Sequence, residues 1–179
     1  GGEVYIADVA EEKLQYAYKT FGLAGMIKND SEESFMSSVN QITGEHHGFD
    51  VCIEAVGLPS TFQNCIDAAA YGGRIVLIGV GKKNLDFNFT LIQKKELSIF
   101  GSRNALKADF KELIELVKCG EIDLEKIVMN KGSADAEKRS EYELEEAAAA
   151  FEEFHRYGGS KLKVLIHFSD PGEITEERH

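Results

Sequence analysis

The chain has 179 residues, 43% hydrophobic and 28% charged, a soluble globular composition with room for one domain and a piece of another. Its net charge of -11 and pI near 4.9 would repel a phosphate backbone, which argues against nucleic-acid binding. No apolar run approaches the roughly 18 residues of a membrane span, Gly1–Ala10 lacks the basic start and apolar stretch of a secretion signal, and Cys52, Cys65 and Cys119 read as reduced, buried thiols of a cytoplasmic protein.

Val4–Asp8 is apolar and β-rich and closes on an acid. In a dinucleotide-binding βαβ unit an acid at the end of the second strand hydrogen-bonds the adenosine ribose, so Asp8 reads as a ribose clamp. The phosphate turn G-x-G-x-x-G belongs about 20 residues earlier. The chain begins at Gly1, so the spacing predicts an incomplete domain. Glu11–Thr20 reads as a helix with Leu14, Ala17 and Tyr18 on one face. Gly25–Ile27 is a short strand candidate. Ser31–Thr43 is a helix opened by Asp30, with Glu33 at capping-box spacing and Phe35, Val39 and Ile42 inward. Gly48 breaks it, and Phe49–Ala55 reads as a buried strand. Pro59 suits the first turn of a helix carrying Phe62, Ile66 and Ala69, stopped by Gly72-Gly73. Arg74–Val80 is a continuous apolar strand, as in a parallel sheet covered on both faces. Leu97–Phe100 is another strand.

This β-α-β-α series predicts an α/β fold with a doubly wound parallel sheet, the Rossmann fold, over residues 1–100, lacking its first strand and glycine-rich loop. Residues 101–168 differ. Ala108–Lys118 is an amphipathic helix (Phe110, Leu113, Ile114, Val117), and Lys131–Ser140 is a charged loop. Leu144–Tyr157 is a helix ended at Gly158-Gly159, and Leu162–Phe168 is a final strand. Residues 169–179 form a polar tail.

The segments VYIADVAEEKL (4–14), FDVCIEAVG (49–57), GGRIVLIGV (72–80), KKELSIFGS (94–102) and SKLKVLIHF (160–168) occur in one order. Together they resemble the C-terminal part of the medium-chain, zinc-dependent alcohol dehydrogenases, over about residues 3 to 168. KELSIFGSRN (95–104) is similar to the polyol and sugar-acid branch, typified by the gulonate and galactonate 5-dehydrogenases. The resemblance implies hydride transfer from a secondary alcohol to NAD, with a zinc ion polarising the alcohol oxygen. It implies a small alcohol, polyol or sugar acid as substrate, and a segment 101–168 that packs back onto the catalytic domain. The family's zinc ligands come from stretches outside this sequence. No catalytic or metal-ligating residue is therefore expected here, and the chain alone is expected to be inactive.

The same resemblance assigns cofactor roles. Asp8 matches the ribose acid and favours NAD over NADP, whose 2′-phosphate it would repel; its plain alternative is a surface acid at a strand end. Lys13 matches a basic position near the same ribose. Val56 and Gly57 sit at the sheet's carboxyl edge, where small residues let a cofactor approach the backbone. Ile78, Gly79 and Val80 match the region that contacts the nicotinamide carboxamide, and Phe100 a position whose amide serves the same group. Lys163 matches a basic residue near the pyrophosphate. Arg103 could hold a substrate carboxylate. His46 and His47 read as surface residues, and Glu54 carries no assigned chemistry. Leu85–Phe89 alternates in character, and in the family such a strand pairs with its copy, which implies a homodimer.

Strand 1 is central in the order 3-2-1-4-5-6, so its loss leaves Val4–Asp8 and Phe49–Ala55 without a shared neighbour. A rival expectation is a catalytically inactive Rossmann-like binding or assembly module. A zinc-free quinone-reductase-like protein would prefer NADPH, against which Asp8 argues.

Overall fold

The computed structural model describes residues 2–127, 140–157, 161 and 163–168. Its elements in chain order are β1 (Tyr5–Asp8), α1 (Glu11–Phe21), β2 (Gly25–Lys28), α2 (Glu32–Thr43), β3 (Phe49–Glu54), α3 (Pro59–Ala68), β4 (Ala69–Leu77), α4 (Thr90–Lys94), β5 (Ser98–Gly101), α5 (Lys107–Lys118), β6 (Glu141–Glu143), α6 (Ala147–Tyr157) and β7 (Leu165–His167). The chain divides into two compact units, Gly1–Met26 with Lys111–His179, and Ile27–Phe110.

In the unit Ile27–Phe110, β3, β4 and β5 form a parallel sheet in that order. The register aligns Cys52, Ile75 and Ile99 across the three strands. A strand's side chains alternate between faces, so these three share one. Phe35 and Val39 of α2 and Ile66 of α3 join Cys52, Ile75, Ile27 and Leu97 in one buried cluster. Each fully buried branched side chain there contributes about 1.5–3 kcal/mol. In the next row of the ladder, on the other face, Ile53 is 61% exposed and Phe100 52%. The expected sheet covered on both faces is thus covered on one, and the buried strand predicted at 49–55 is buried only at alternate positions.

In the other unit, α1 buries Leu14 and Ala17 as predicted, while Tyr18 is exposed. β1 pairs with β2, a strand that begins in this unit and ends, at Ile27 and Lys28, in the unit Ile27–Phe110. β6 and β7 pair in parallel. Tyr142 of β6 donates from its hydroxyl to Glu153 of α6 (2.6 Å), and buried Lys161 donates to that hydroxyl (2.9 Å).

Several predicted details change. Ser31, not Asp30, caps α2, accepting from the Ser34 amide (3.2 Å). Gly72-Gly73 do not stop α3, which ends at Ala68, and β4 runs through both glycines to Leu77. The register breaks there, because Phe49 pairs with Ala69 and Val51 with Arg74. Leu85–Phe89 is not a strand: Phe87 turns in and packs edge-on against Phe62 (ring centroids 5.2 Å), and Phe89 stays exposed. The expected pairing of two copies has no preformed strand at this position. α5 forms as predicted but leaves Phe110, Leu113 and Ile114 exposed. The final strand shortens to Leu165–His167. The loop predicted at 131–140 lies, except for buried Ser140, outside the described residues, as do Gly158-Gly159 and the tail. Among the described residues no helix is long and apolar enough to cross a membrane.

Candidate functional site

Ligands of open α/β sheets bind beyond the carboxyl ends of the strands. Here the carboxyl ends of β3 and β4 are tied together by Glu54. The residue is 4% exposed. Oε1 accepts from the Val56 amide (2.9 Å), the Gly57 amide (2.8 Å) and the Thr61 hydroxyl (2.7 Å). Its main-chain carbonyl accepts from the Ile78 (2.8 Å) and Gly79 (3.0 Å) amides. One residue thus holds the turn after β3 through its side chain and the turn after β4 through its backbone. Burial raises the carboxyl's pKa, but the bonds from Thr61, Gly57 and Val56 outweigh it and hold the pKa below its ordinary value. Glu54 is charged at neutral pH, and its charge is spread over three donors.

The two turns meet backbone to backbone. Gly57 has φ +84°, and a Cβ on it would lie 2.6 Å from the Val80 carbonyl carbon. A Cβ on Gly79 would come within 2.7 Å of the Gly57 nitrogen, the Val56 nitrogen and Glu54 Oε2. Only glycines allow this approach. Exposed Val56, Ile78 and Val80 flank it. The Ser102 amide donates to the Leu77 carbonyl (2.9 Å), continuing the edge to the end of β5. Phe100 ends that row half-exposed, and Arg103 follows in an exposed loop. The structure therefore brings Val56, Gly57, Ile78, Gly79 and Val80 together at one edge.

Asp8, Lys13 and Lys163 belong to the other unit. Asp8 ends β1, and its Oδ1 accepts from the Ala10 amide (2.8 Å), which fixes the carboxylate at the strand's carboxyl end. A carboxylate can accept about four bonds, so capacity for two ribose hydroxyls remains. Lys13 is half-buried in α1. Lys163 is exposed and precedes β7 rather than lying in a strand as expected.

Sequence reasoning missed Glu54. The available signal was an acid inside the apolar run FDVCIEAV, three residues before Gly57. His46 and His47 are exposed, and His46 Nε2 meets Asp50 Oδ1 at 2.9 Å. Among the described residues no group of three or more His, Cys, Asp or Glu could hold a metal ion. All three cysteines are free. Burial pushes the Cys52 thiol up to about 11 and the Cys65 thiol up to about 12, so both stay protonated. Cys119, expected buried, is exposed in the turn directly after α5.

Residues 1–118 match the family described as zinc-binding dehydrogenase. The chain belongs to that family. Sorbitol dehydrogenase 1 of Saccharomyces cerevisiae is 24% identical over 169 residues, 92% of this chain and 44% of its own length. L-threonine 3-dehydrogenase of Salmonella typhi is 31% identical over 134 residues, 74% of this chain and 38% of its own length. Among solved structures, zinc-dependent alcohol dehydrogenase 2 from Streptococcus pneumonia superposes with a TM-score of 0.79 at 22% identity, covering 98% of this chain and 46% of that one. An alcohol dehydrogenase from E. coli CFT073 in complex with NADH gives 0.76 at 26% identity, covering 93% and 44%. The Rossmann-type α/β fold is the one the sequence predicts. The chain spans less than half the length of these relatives.

Proposed function

We propose that this chain is the cofactor-binding part of an NAD-dependent, zinc-type dehydrogenase acting on a secondary alcohol, a polyol or a sugar acid in the cytoplasm. The family match supports it. So do relatives named sorbitol dehydrogenase and D-xylulose reductase, and the neighbour that holds NADH. The observation that carries the cofactor assignment is Asp8, an acid pinned at the carboxyl end of β1 by the Ala10 amide. Two ribose hydroxyls can donate to it, and a 2′-phosphate would meet its charge.

Bound NAD supplies a hydride acceptor. This chain's part is to bind and orient it. Asp8, with Lys13 near it in sequence, takes the adenosine ribose, and Lys163 offers a cation to the pyrophosphate. The glycine approach at Gly57 and Gly79 keeps the sheet edge low, and Val56, Ile78 and Val80 give an apolar surface beside it. The described residues do not fit a zinc site, so no catalytic step is placed on them.

The test is NAD and NADP binding to the complete protein. Asp8→Gly is expected to weaken NAD on the order of 10- to 100-fold, the loss of a hydrogen bond to a charged group. NADP should lose little or gain. Equal loss for both cofactors would sink the ribose assignment. The sugar-acid branch rests on Arg103, exposed after β5 and without an ion pair among the described residues. In steady-state kinetics, Arg103→Met is expected to raise KM about tenfold or more for a sugar acid and to leave KM for a neutral polyol unchanged. A parallel change for both substrates removes the carboxylate role.

A further inference from the structure

Successive backbone amides that converge on one point form an anion-binding nest. At helix N-termini such amides make a ready site for phosphate. The Val56 and Gly57 amides converge in this way just before α3 begins at Pro59. Their point of convergence is already filled, by Oε1 of Glu54, with the Thr61 hydroxyl as a third donor. The carboxylate is buried and anchored at the end of β3, and its other oxygen occupies the space where a side chain on Gly79 would start.

We infer that Glu54 is a positioning and specificity residue: its carboxylate is a built-in anion that sets the Val56–Gly57 turn and closes this sheet edge to phosphate, leaving it to an uncharged part of the cofactor. This rests on the NAD assignment above for its cofactor half only. Two observations join in it. The donors that could hold a phosphate are used internally, at 2.7–2.9 Å. The groups left exposed at the edge, Val56, Ile78 and Val80, are apolar and suit a flat neutral ring rather than a charged group. In this role Glu54 needs no contact with the cofactor. It acts through the backbone of residues 56–57 and, by its carbonyl, through residues 78–79.

Chemical rescue separates this role from simple packing. In the complete protein, Glu54→Ala vacates the nest, and formate is small enough to refill it. Formate is expected to raise the thermal midpoint of Glu54→Ala, while formamide and equal chloride do not, and the wild type should not respond. NAD should bind Glu54→Ala about tenfold more weakly, with formate restoring most of the loss. A variant that binds NAD like the wild type, or that responds to formate no more than to chloride, overturns the inference. If Glu54→Ala does not fold, Glu54→Gln keeps the shape and loses the charge. It is expected to fold, to bind NAD more weakly and to ignore formate; wild-type NAD affinity in it overturns the inference. Absence of NAD binding in the wild type would defeat the cofactor assignment instead, and the formate response of Glu54→Ala would still decide whether the nest exists.

Discussion

Gly79→Ala is expected to destabilise the fold by about 3 kcal/mol, at the top of the range for overpacking, although it adds one methyl group. The new Cβ would come within 2.7 Å of two backbone nitrogens, those of Val56 and Gly57, and of Glu54 Oε2. A flexible side chain could swing away from such a contact. These atoms cannot, because the two nitrogens are hydrogen-bonded to Glu54 Oε1 and the Gly79 amide is bonded to the Glu54 carbonyl. Relief would require breaking charge-assisted hydrogen bonds, each contributing about 1.5–3 kcal/mol. The same change should abolish cofactor binding, since the turns after β3 and β4 would separate. Gly101→Ala is the control: nothing lies within 4 Å of its Cβ position, and a change within about 0.5 kcal/mol is expected. Urea denaturation of both variants checks this, and similar midpoints for the two would show that the approach at Gly79 is not tight.

The second large effect is expected at Lys95. Its Nζ donates to three main-chain carbonyls, Ile66 (3.0 Å), Asp67 (2.8 Å) and Ala69 (2.9 Å). These carbonyls lie at the end of α3 and the start of β4, where a helix leaves its last acceptors without internal partners and carries its negative dipole end. One ammonium satisfies them together. Burial lowers the Lys95 pKa, and Asp67 opposes that in part. Removing the amine relieves some desolvation cost, yet leaves three partly buried acceptors unmet at about 1–3 kcal/mol for each fully buried one. Water reaches some of them because Lys95 is only half-buried. Lys95→Met is therefore expected to cost about 3 kcal/mol in all. Lys95→Arg should not restore it, because a planar fork cannot converge on three carbonyls as a tetrahedral ammonium does. Equilibrium unfolding measures both, and a loss below about 1 kcal/mol for Lys95→Met would mean water replaces the ammonium without penalty.

Hydrophobic periodicity and punctuation along the chain place most of its elements. Leu14 and Ala17, and Phe35 and Val39, recur at helical spacing and are the residues that α1 and α2 bury. Pro59 marks the start of α3 because its missing amide costs nothing there. Asp8 is legible because a strand, an acid and a helix are adjacent in sequence. These are local effects, decided within a few residues.

Other features depend on partners distant in the chain. Gly72-Gly73 carry a helix-stop signal, yet β4 runs through them at the point where its register with β3 breaks, and the Gly72 amide donates to the carbonyl of Lys95, far along the chain (2.7 Å). Leu85–Phe89 alternates like a strand, but Phe87 has an aromatic partner in Phe62 and turns inward. Lys95 looks like a surface lysine in the run QKKEL until the fold brings the end of α3 to it.

What the sequence by itself determined is most of the element order, the Rossmann-type α/β class and the acid at the end of β1, since each follows from side-chain period and nearest neighbours. Only the tertiary structure decided that Glu54 fills its own amide nest, that Gly57 and Gly79 bring two turns into contact, and that the three-stranded sheet is covered on one face. Those outcomes require atoms from separate strands to occupy neighbouring space, and no spacing along the chain encodes a distance across it.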